Sequence, residues 1–361
     1  MTRTVRAATL IVGVVALAAT AGAQSLASLV NAVRDGMVYV SFAGRPGICG
    51  DDSGLIRFGN RMYSFNGSIG HYSGYTPPCF GGPIHVAIGR SSGETVSIRT
   101  RVGRRTAAAA GETDLGSVSA RDAAAYFFSQ ARLSLGQRNT QQALIAAAIA
   151  DSASLTAPLT QVIRDGSARL EVRGFAAMLL ANADEPESGP AIRSVIADAD
   201  LPRDVRGSAI VGLGDGDITL ADAEFLEKQY PSLNESLRSD VFLALSHSDD
   251  PRIYRWLSTK ALDANESMET RKQALFWSGQ GAMPTPELVG LYDRLTEREL
   301  REHFTFVLTQ RKDDRATDKL IDIVKTDRDT NVRKQALFWL GQSKDPKAKA
   351  FLRDLILKDK P

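Results

Sequence analysis

Six arginines recur at a nearly constant interval through the second half of the chain. They are Arg173, Arg206, Arg238, Arg271, Arg301 and Arg333, separated by 33, 32, 33, 30 and 32 residues. The sequence around them recurs too: residues 269–280 read Glu-Thr-Arg-Lys-Gln-Ala-Leu-Phe-Trp-Ser-Gly-Gln, and residues 331–342 read Asn-Val-Arg-Lys-Gln-Ala-Leu-Phe-Trp-Leu-Gly-Gln. A period of this size is typical of units that bury their apolar faces only by stacking on one another. The repeats therefore predict a solenoid.

The fifth, seventh and eighth residues after each arginine have similar polarity or size from one unit to the next. The fifth residue after it is apolar: Met178, Val211, Leu243, Phe276, Phe306 and Phe338. The seventh is mostly leucine: Leu180, Leu213, Leu245, Ser278, Leu308 and Leu340. The eighth is small: Ala181, Gly214, Ser246, Gly279, Thr309 and Gly341. The fifth and seventh positions lie about 200° apart on a helix, which predicts an inner helix covered on both faces. The glycines suit a left-handed residue that closes the helix.

A second amphipathic stretch follows each of these helices. The predicted second helices are 155–163, 190–196, 220–230, 252–262, 287–295, 316–324 and 348–357. An earlier unit has Thr140 in place of the arginine, and Ser119 with Asp122 forms an N-terminal capping pattern before a first helix. We expect an all-α solenoid of about seven helix pairs over residues 119–361.

The repeat unit resembles a known family. The unit consists of an acid, then Val-Arg, then an Ala-rich apolar helix that ends in Leu-Gly. This order resembles HEAT repeats, and the short period is similar to the phycobilisome-lyase type of HEAT-like repeat. The resemblance implies that the arginines are structural and pair with acids in the turns between helices. The candidate acids are Glu171, Asp204, Glu235, Glu269, Glu297 and Asp329. Bilin lyase activity does not follow from the resemblance, because the chain begins with a pattern for export.

The first 23 residues have the form of a signal peptide. Arg3 and Arg6 precede an apolar run over residues 7–21, and Ala21-Gly22-Ala23 supplies the small residues that a signal peptidase requires. A short membrane anchor is the alternative, although the run is short for a span. We expect an exported, periplasmic or extracellular protein with no membrane span in the mature chain.

Residues 24–102 predict a small β-rich domain. Period-two alternation marks strands at 37–42, 84–88 and 95–102, where Val96, Ile98 and Val102 are expected to face one side. Another strand at 61–65 leads into Asn66-Gly67, which is a strong hairpin dipeptide. The two cysteines of the chain, Cys49 and Cys79, predict one disulfide in an exported protein. The chain is therefore expected to be an α+β multi-domain protein with a small antiparallel β domain before the solenoid.

The loop between the cysteines is rich in glycine and aromatic residues. Tyr63, His71, Tyr72 and Tyr75 form a possible binding surface in this loop. Large rings that build a small core are the alternative. Residues 103–118 show no periodicity and predict a linker.

No catalytic motif occurs in the sequence. The four histidines form no metalloprotease pattern, residues 215–226 lack the glycine and glutamate of an EF-hand, and no phosphate-binding or dinucleotide fingerprint is present. We expect no enzyme activity, no cofactor and no metal site. Trp277 and Trp339 occupy equivalent positions in two repeats. They are interpreted either as core residues between repeats or as anchors for a bound peptide.

Charge is unevenly distributed along a chain that is nearly neutral. Residues 180–250 hold five basic and fifteen acidic residues, whereas residues 311–361 hold fourteen basic and nine acidic residues. Export and overall neutrality argue against a nucleic-acid partner. The sequence therefore predicts an exported scaffold that binds another protein. The alternative is a ligand-binding or enzymatic β domain carried by the solenoid.

Overall fold

The N-terminal part of the protein forms two small sheets. The computed structural model describes residues 25–51, 54–58, 61–63, 69–70, 79–103, 110–133, 135–215 and 218–358; the predicted signal peptide lies outside them. A short helix, α1 (Leu26–Ala32), precedes the strands. The strands are β1 (Gly36–Phe42), β2 (Cys49–Gly50), β3 (Ile56–Phe58), β4 (Arg61–Tyr63), β5 (Ile69–Gly70), β6 (Phe80–Gly81), β7 (Ile84–Ser91), β8 (Glu94–Val102) and β9 (Thr113–Ser117).

The larger sheet has the strand order β8-β7-β1-β9. Strand β7 pairs antiparallel with both β1 and β8. The tight turn at Ser92 and Gly93 joins it directly to β8. Alternate residues of β1 are buried, namely Val38, Val40 and Phe42, as period-two alternation predicts. This sheet therefore buries one face.

One residue of β8 does not face the side that its spacing predicts. Val96 is 52% exposed, whereas Thr95 is buried. The register between β7 and β8 shifts at this point, since Gly89 pairs with Ser97 and Arg90 with Thr95. Val96 is thus the extra residue of a β-bulge, which turns its side chain outward.

The smaller sheet has the strand order β5-β4-β3-β2-β6 and consists of strands of two or three residues. The predicted disulfide is present between Cys49 and Cys79, whose Cα atoms are 5.2 Å apart. It joins the start of β2 to the residue before β6, so it fastens two strands that also pair with each other. Antiparallel pairing of β4 with β5 agrees with the predicted hairpin, although residues 64–68 lie outside the described part.

Part of the stretch that was expected to be a linker is a strand. Thr113–Ser117 forms β9, which pairs in parallel with β1. Ser41 also donates a hydrogen bond to the carbonyl of Gly116. Pairing with an existing strand edge supplies the backbone hydrogen bonds that the local sequence does not indicate. The division into a β domain and a solenoid stays a prediction.

The described residues contain fifteen further helices after the sheets. After α2 (Ala120–Ala131) they form seven consecutive pairs: α3 (Gln137–Ala148) with α4 (Thr156–Arg164), α5 (Leu170–Ala181) with α6 (Ser188–Ala197), α7 (Arg203–Gly214) with α8 (Leu220–Gln229), α9 (Glu235–Ser246) with α10 (Pro251–Leu262), α11 (Met268–Gln280) with α12 (Thr285–Leu291), α13 (Arg298–Thr309) with α14 (Asp314–Thr326), and α15 (Thr330–Gln342) with α16 (Pro346–Lys358). The odd-numbered helices from α3 to α15 are the inner helices and pack on one another in sequence.

Polar side chains fix where many of these helices begin. Ser119 accepts a hydrogen bond from the N–H of Asp122, as the capping pattern predicts. Asn234, Ser267 and Asp329 act in the same way at the starts of α9, α11 and α15. Such caps satisfy backbone donors that have no partner inside the helix. Among the described helices, none combines the length and the apolar character that a membrane crossing requires.

The larger sheet covers the first inner helix of the solenoid. The backbone N–H of Thr100 on β8 donates to the side chain of Gln142 on α3, at 3.0 Å, and the Thr100 hydroxyl donates to the Gln142 carbonyl. Arg45 donates to the backbone carbonyl of Ala148, at 2.9 Å. Residues 143–148 of α3 are all buried, between the sheet and the neighbouring helices α2 and α5. The solenoid therefore has a covered first repeat.

Candidate interaction surface

The inner helices leave one recurring apolar position at the surface. This is the fifth residue after each repeat arginine, and we call the six residues there the inner stripe: Met178, Val211, Leu243, Phe276, Phe306 and Phe338. Five are half-buried, and Phe338 is 53% exposed. The expectation that inner helices are covered on both faces is thus wrong for this position. The seventh position is the core side, where Leu180, Leu245 and Leu340 are fully buried.

Recurring small residues bring the inner helices close together. A Cβ atom at Gly214 would lie 2.2 Å from the Cα of Ala244 on the next inner helix, and one at Gly279 would lie 2.2 Å from Cγ1 of Val307. Neither glycine nor Gly341 has a positive φ. Their predicted role as left-handed closing residues is therefore wrong. At two of the three positions, glycine is needed because another helix occupies the space.

Five aromatic rings form a continuous row across α11, α13 and α15. We call it the aromatic row; in spatial order it is Trp277, Phe276, Phe306, Trp339 and Phe338. Successive ring centroids are 4.9, 6.1, 5.3 and 5.0 Å apart. Phe276 and Phe306 are nearly parallel, with an interplanar angle of 4°. Rings at these distances attract one another and form a stiff, apolar surface.

The two tryptophans are partly core residues and partly surface residues, so they fit both roles that the sequence left open, packing between repeats and contacting a bound peptide. Trp277 and Trp339 are half-buried, whereas Leu179 and Val307 at the same repeat position are buried. The indole N–H groups of both tryptophans are shielded and have no acceptor in the described part of the chain. The tryptophans therefore contribute apolar ring surface to the aromatic row, and no hydrogen-bond donor.

A row of amide side chains runs beside the aromatic row. Gln280, Gln310 and Gln342 each lie four residues after a phenylalanine of the inner stripe, which places them on the same helix face. We call them the glutamine row. All three are exposed, and among the described contacts only Gln310 makes a side-chain hydrogen bond, to Thr309. Sequence reasoning missed this row, although its signal is the recurrence of a polar residue nine places after each arginine.

A cleft adjoins the end of both rows. It has a volume of about 570 Å³ and lies between the turn after α13 and the turn after α15. Trp339, Gln342, Lys312 and Lys344 are among its lining residues. Both lysines are exposed and form no ion pair among the described residues. The cleft thus joins an aromatic ring, an amide and two available positive charges.

The acids that line this cleft are partly engaged. Asp313 accepts a hydrogen bond from the N–H of Arg315, and Asp345 accepts from the N–H of Lys347. These hydrogen bonds help to hold the pKa of both carboxyl groups below the usual range; the largest cause at Asp345 is its hydrogen bond from Thr317. Both carboxylates belong to helix starts, and Asp314 is the remaining acid of the lining.

The middle of the aromatic row carries little charge. Burial, together with nearby Lys272, lowers the pKa of His303, whose ring lies 6.0 Å from that of Phe306. The imidazole is therefore neutral at neutral pH. Lys272 pairs with Glu299 across a gap of 3.2 Å. Lysines without an ion pair among the described residues lie toward the end of the row: Lys334, four residues before Phe338, and Lys312 and Lys344 in the cleft.

The recurring arginines connect neighbouring repeats. The Nε atoms of Arg173, Arg206 and Arg271 donate to backbone carbonyls at the end of the preceding outer helix, at 2.7, 2.9 and 3.1 Å. Arg271 also contacts both carboxylate oxygens of Glu297, at 2.8 and 3.2 Å. Arg238 pairs with Glu266 at 2.8 Å.

The acids that pair with the recurring arginines are not the ones that the sequence predicted, which precede each arginine in its own repeat. Each partner lies in the loop that leads into the following inner helix, as Glu266, Glu297 and Asp327 do for Arg238, Arg271 and Arg301. Glu297 was a candidate, but it pairs with the arginine of the preceding repeat. Four of the other candidate acids have local contacts: Glu171 with Arg169, Asp204 with Arg203, Glu269 with Gln273 and Asp329 with Asn331. Glu235 instead accepts a hydrogen bond from Ser267, at the start of the next inner helix. The ion pairs of Arg238, Arg271 and Arg301 therefore join neighbouring repeats.

The structure adds little about the predicted surface on the β domain. His71, Tyr72 and Tyr75 lie outside the described residues, and for Tyr63 only the strand position is described. Within the described ranges, no group of three or more His, Cys, Asp or Glu side chains is arranged to hold a metal ion. The aromatic row is thus the surface that the described contacts define best.

Residues 285–361 match the family model of HEAT repeats. The matched range covers α12 to α16, including Phe306, Phe338 and the cleft. This confirms HEAT-like repeats in the protein, and with the seven helix pairs it confirms the predicted fold: a small antiparallel sheet region followed by a HEAT-like solenoid. No curated protein matches the chain.

One solved structure to which the chain is weakly similar is that of human deoxyhypusine hydroxylase in complex with glycerol. It is 18% identical in sequence, and the match covers 67% of this chain and 91% of that chain with a TM-score of 0.30. A likeness at this score carries no argument about what this protein does.

Proposed function

We propose that this protein is an exported scaffold that binds another protein through the inner surface of its solenoid. The aromatic row carries this proposal. Rings that are half-buried in the protein present area that is already ordered, so a partner can cover them at a small cost in side-chain entropy. HEAT repeats are extended surfaces of the kind that suits such binding.

The exported location rests on the signal-peptide pattern of residues 1–23. Cleavage after Ala23 would give a mature chain that starts at Gln24. Mass measurement of the protein from fractionated cells tests this part. Substitution of Ala21 and Ala23 by leucine should block cleavage, because signal peptidase accepts only small side chains there. An uncleaved wild-type protein in the cytosol would contradict export.

Site-specific photo-crosslinking in the native cells tests partner binding. A photoreactive phenylalanine analogue replaces Phe338, which is 53% exposed at the end of the aromatic row. We expect one discrete crosslinked protein, since the analogue keeps the ring in place. The matched control places the analogue at Leu357, which is 56% exposed on α16 and lies outside the row. Equal crosslinking at both positions, or none at Phe338, would argue against the proposal.

A further inference from the structure

The surface where the aromatic row, the glutamine row and the cleft meet indicates most about the chemistry of the partner. From this geometry, and building on the proposed function, we infer that the surface binds an extended acidic segment in which apolar and acidic residues alternate. The segment would cross α11, α13 and α15 with its backbone along the glutamine row.

The glutamine row suits a peptide backbone. A glutamine amide donates and accepts, as a peptide group does, so it can pair with either backbone group of an extended chain. Gln280 and Gln342 have no side-chain hydrogen bond within the described contacts, and Gln310 bonds only to neighbouring Thr309. The three amides therefore remain available to a bound backbone.

The aromatic row lies to one side of the glutamines and would receive the apolar side chains. Along an extended strand, every second side chain points the same way, and the repeat is about 6.6 Å. The centroids of Phe276 and Phe306 are 6.1 Å apart, close to that repeat. Three inner helices packed at about 8–10 Å span roughly six extended residues. A short segment is therefore enough to cover the row.

The charges lie beyond the glutamine row, in the turns that follow α13 and α15. Lys312 and Lys344 follow Gln310 and Gln342 by two residues, and neither has an ion-pair partner among the described residues. Side chains that alternate with the apolar ones point toward this side. Glu302 is paired with Arg298 at 3.5 Å and Glu299 with Lys272 at 3.2 Å. Three acids line the cleft beside the lysines: Asp313 and Asp345 accept backbone hydrogen bonds at helix starts, and Asp314 is the third. Carboxylates on the partner would complement the two lysines.

Selection from a displayed library of random dodecapeptides on the full-length mature protein tests this inference. We expect the enriched peptides to alternate apolar residues with Asp or Glu. Synthetic copies should lose affinity about tenfold on the Lys312→Glu/Lys344→Glu variant, since two attractions become repulsions. Their binding should also weaken at high salt. Gln310→Ala/Gln342→Ala should weaken binding with no change in its salt dependence.

The control is Arg315→Glu/Lys349→Glu. It makes the same change of charge at two exposed residues that do not line the cleft, and circular dichroism checks that every variant is folded. Basic peptides, peptides with helical apolar spacing, equal losses in both charge variants, or no enrichment would each overturn the inference. If the Phe338 crosslink is found nonetheless, the partner binds through a folded surface and the proposed function stands. If the crosslink is also missing, both proposals fail.

Discussion

At the scale of single residues, Gly214 decides how closely two inner helices approach. A Cβ atom there would lie 2.2 Å from the Cα of Ala244 and 2.5 Å from its carbonyl oxygen. Because these are backbone atoms, a change of rotamer cannot relieve the clash. We expect Gly214→Ala to lower the free energy of unfolding by about 1–3 kcal/mol, as overpacking does. Urea unfolding followed by circular dichroism measures the change.

Gly341 provides the matched control for Gly214. It occupies the equivalent repeat position in α15, and a Cβ atom there would meet nothing within 4 Å. Gly341→Ala should be neutral or stabilise by up to about 1 kcal/mol, because alanine favours a helix over glycine. Equal destabilisation by both variants would show that the close approach at Gly214 is not the cause.

The ion pair between Arg271 and Glu297 makes stability depend on pH. The hydrogen bond from Arg271 lowers the pKa of Glu297 to about 2, from an ordinary value of 4.5. A carboxyl group with a depressed folded pKa stabilises the fold above its unfolded pKa, and this stabilisation is lost as pH falls through the folded value. Glu297→Gln should therefore destabilise at pH of about 7 by about 1–2 kcal/mol, and the difference from wild type should nearly vanish at pH of about 2.

Glu299→Gln is the control for Glu297→Gln. Glu299 pairs with Lys272, but 54% of the Glu299 side chain is exposed. An exposed pair contributes about 0–1 kcal/mol, so this variant should change stability little at either pH. Urea unfolding at both pH values gives the comparison. A Glu297→Gln defect that persists unchanged in acid would show that packing, and not charge, is lost.

At the scale of elements, the disulfide holds the smaller sheet together. Its strands contain only two or three residues, so few backbone hydrogen bonds order them. Closing a loop with a sequence separation of 30 residues stabilises by about 3–4 kcal/mol in the chain-entropy model. We expect Cys49→Ser/Cys79→Ser to raise hydrogen exchange in β2, β3 and β6. Exchange in α5 to α15 should stay as in wild type, because these helices pack on their own neighbours.

Exchange measured on the wild-type protein with and without reductant serves as the control for the cysteine variant. Reduction should reproduce the pattern of the double substitution, since both open the same loop. Increased exchange throughout the solenoid would contradict local stabilisation. It would mean that the small sheet supports the whole chain.

The helices were more predictable than the strands for a physical reason. Each second helix of a pair was found close to its predicted place, because apolar spacing and capping residues are local signals. Strand β9 was not predicted, since Thr-Asp-Leu-Gly-Ser has no clear alternation. It is a strand because the edge of β1 lies beside it. The side on which Val96 lies likewise depends on a bulge between two strands.

At the scale of the whole molecule, the solenoid should transmit a disturbance only to adjacent repeats. Each inner helix packs on its neighbours in sequence, and such arrays behave as nearest-neighbour systems. Gly214→Ala should therefore raise hydrogen exchange in α7 and α9 while α15 is unchanged. Exchange followed by mass spectrometry resolves these helices. A uniform increase from α3 to α16 would show instead that the array unfolds as one unit.

The sequence by itself determined the architecture of this protein. The 32-residue recurrence and the apolar positions within it specify stacked helix pairs, because each unit can bury its apolar face only against the next. The two cysteines similarly indicated their own pairing, since the predicted export favours oxidised thiols.

Only the tertiary structure decided which recurring residues reach the surface. The fifth position is apolar in every unit and the seventh in all but one, yet Leu340 is fully buried and Phe338 is 53% exposed. The difference arises from how the helices stack on one another, which no local pattern records. The same stacking brings Phe276, Phe306 and Phe338 into one row with Gln280, Gln310 and Gln342 beside it. Residues that are 30 and 32 positions apart in the chain thus become neighbours on one surface.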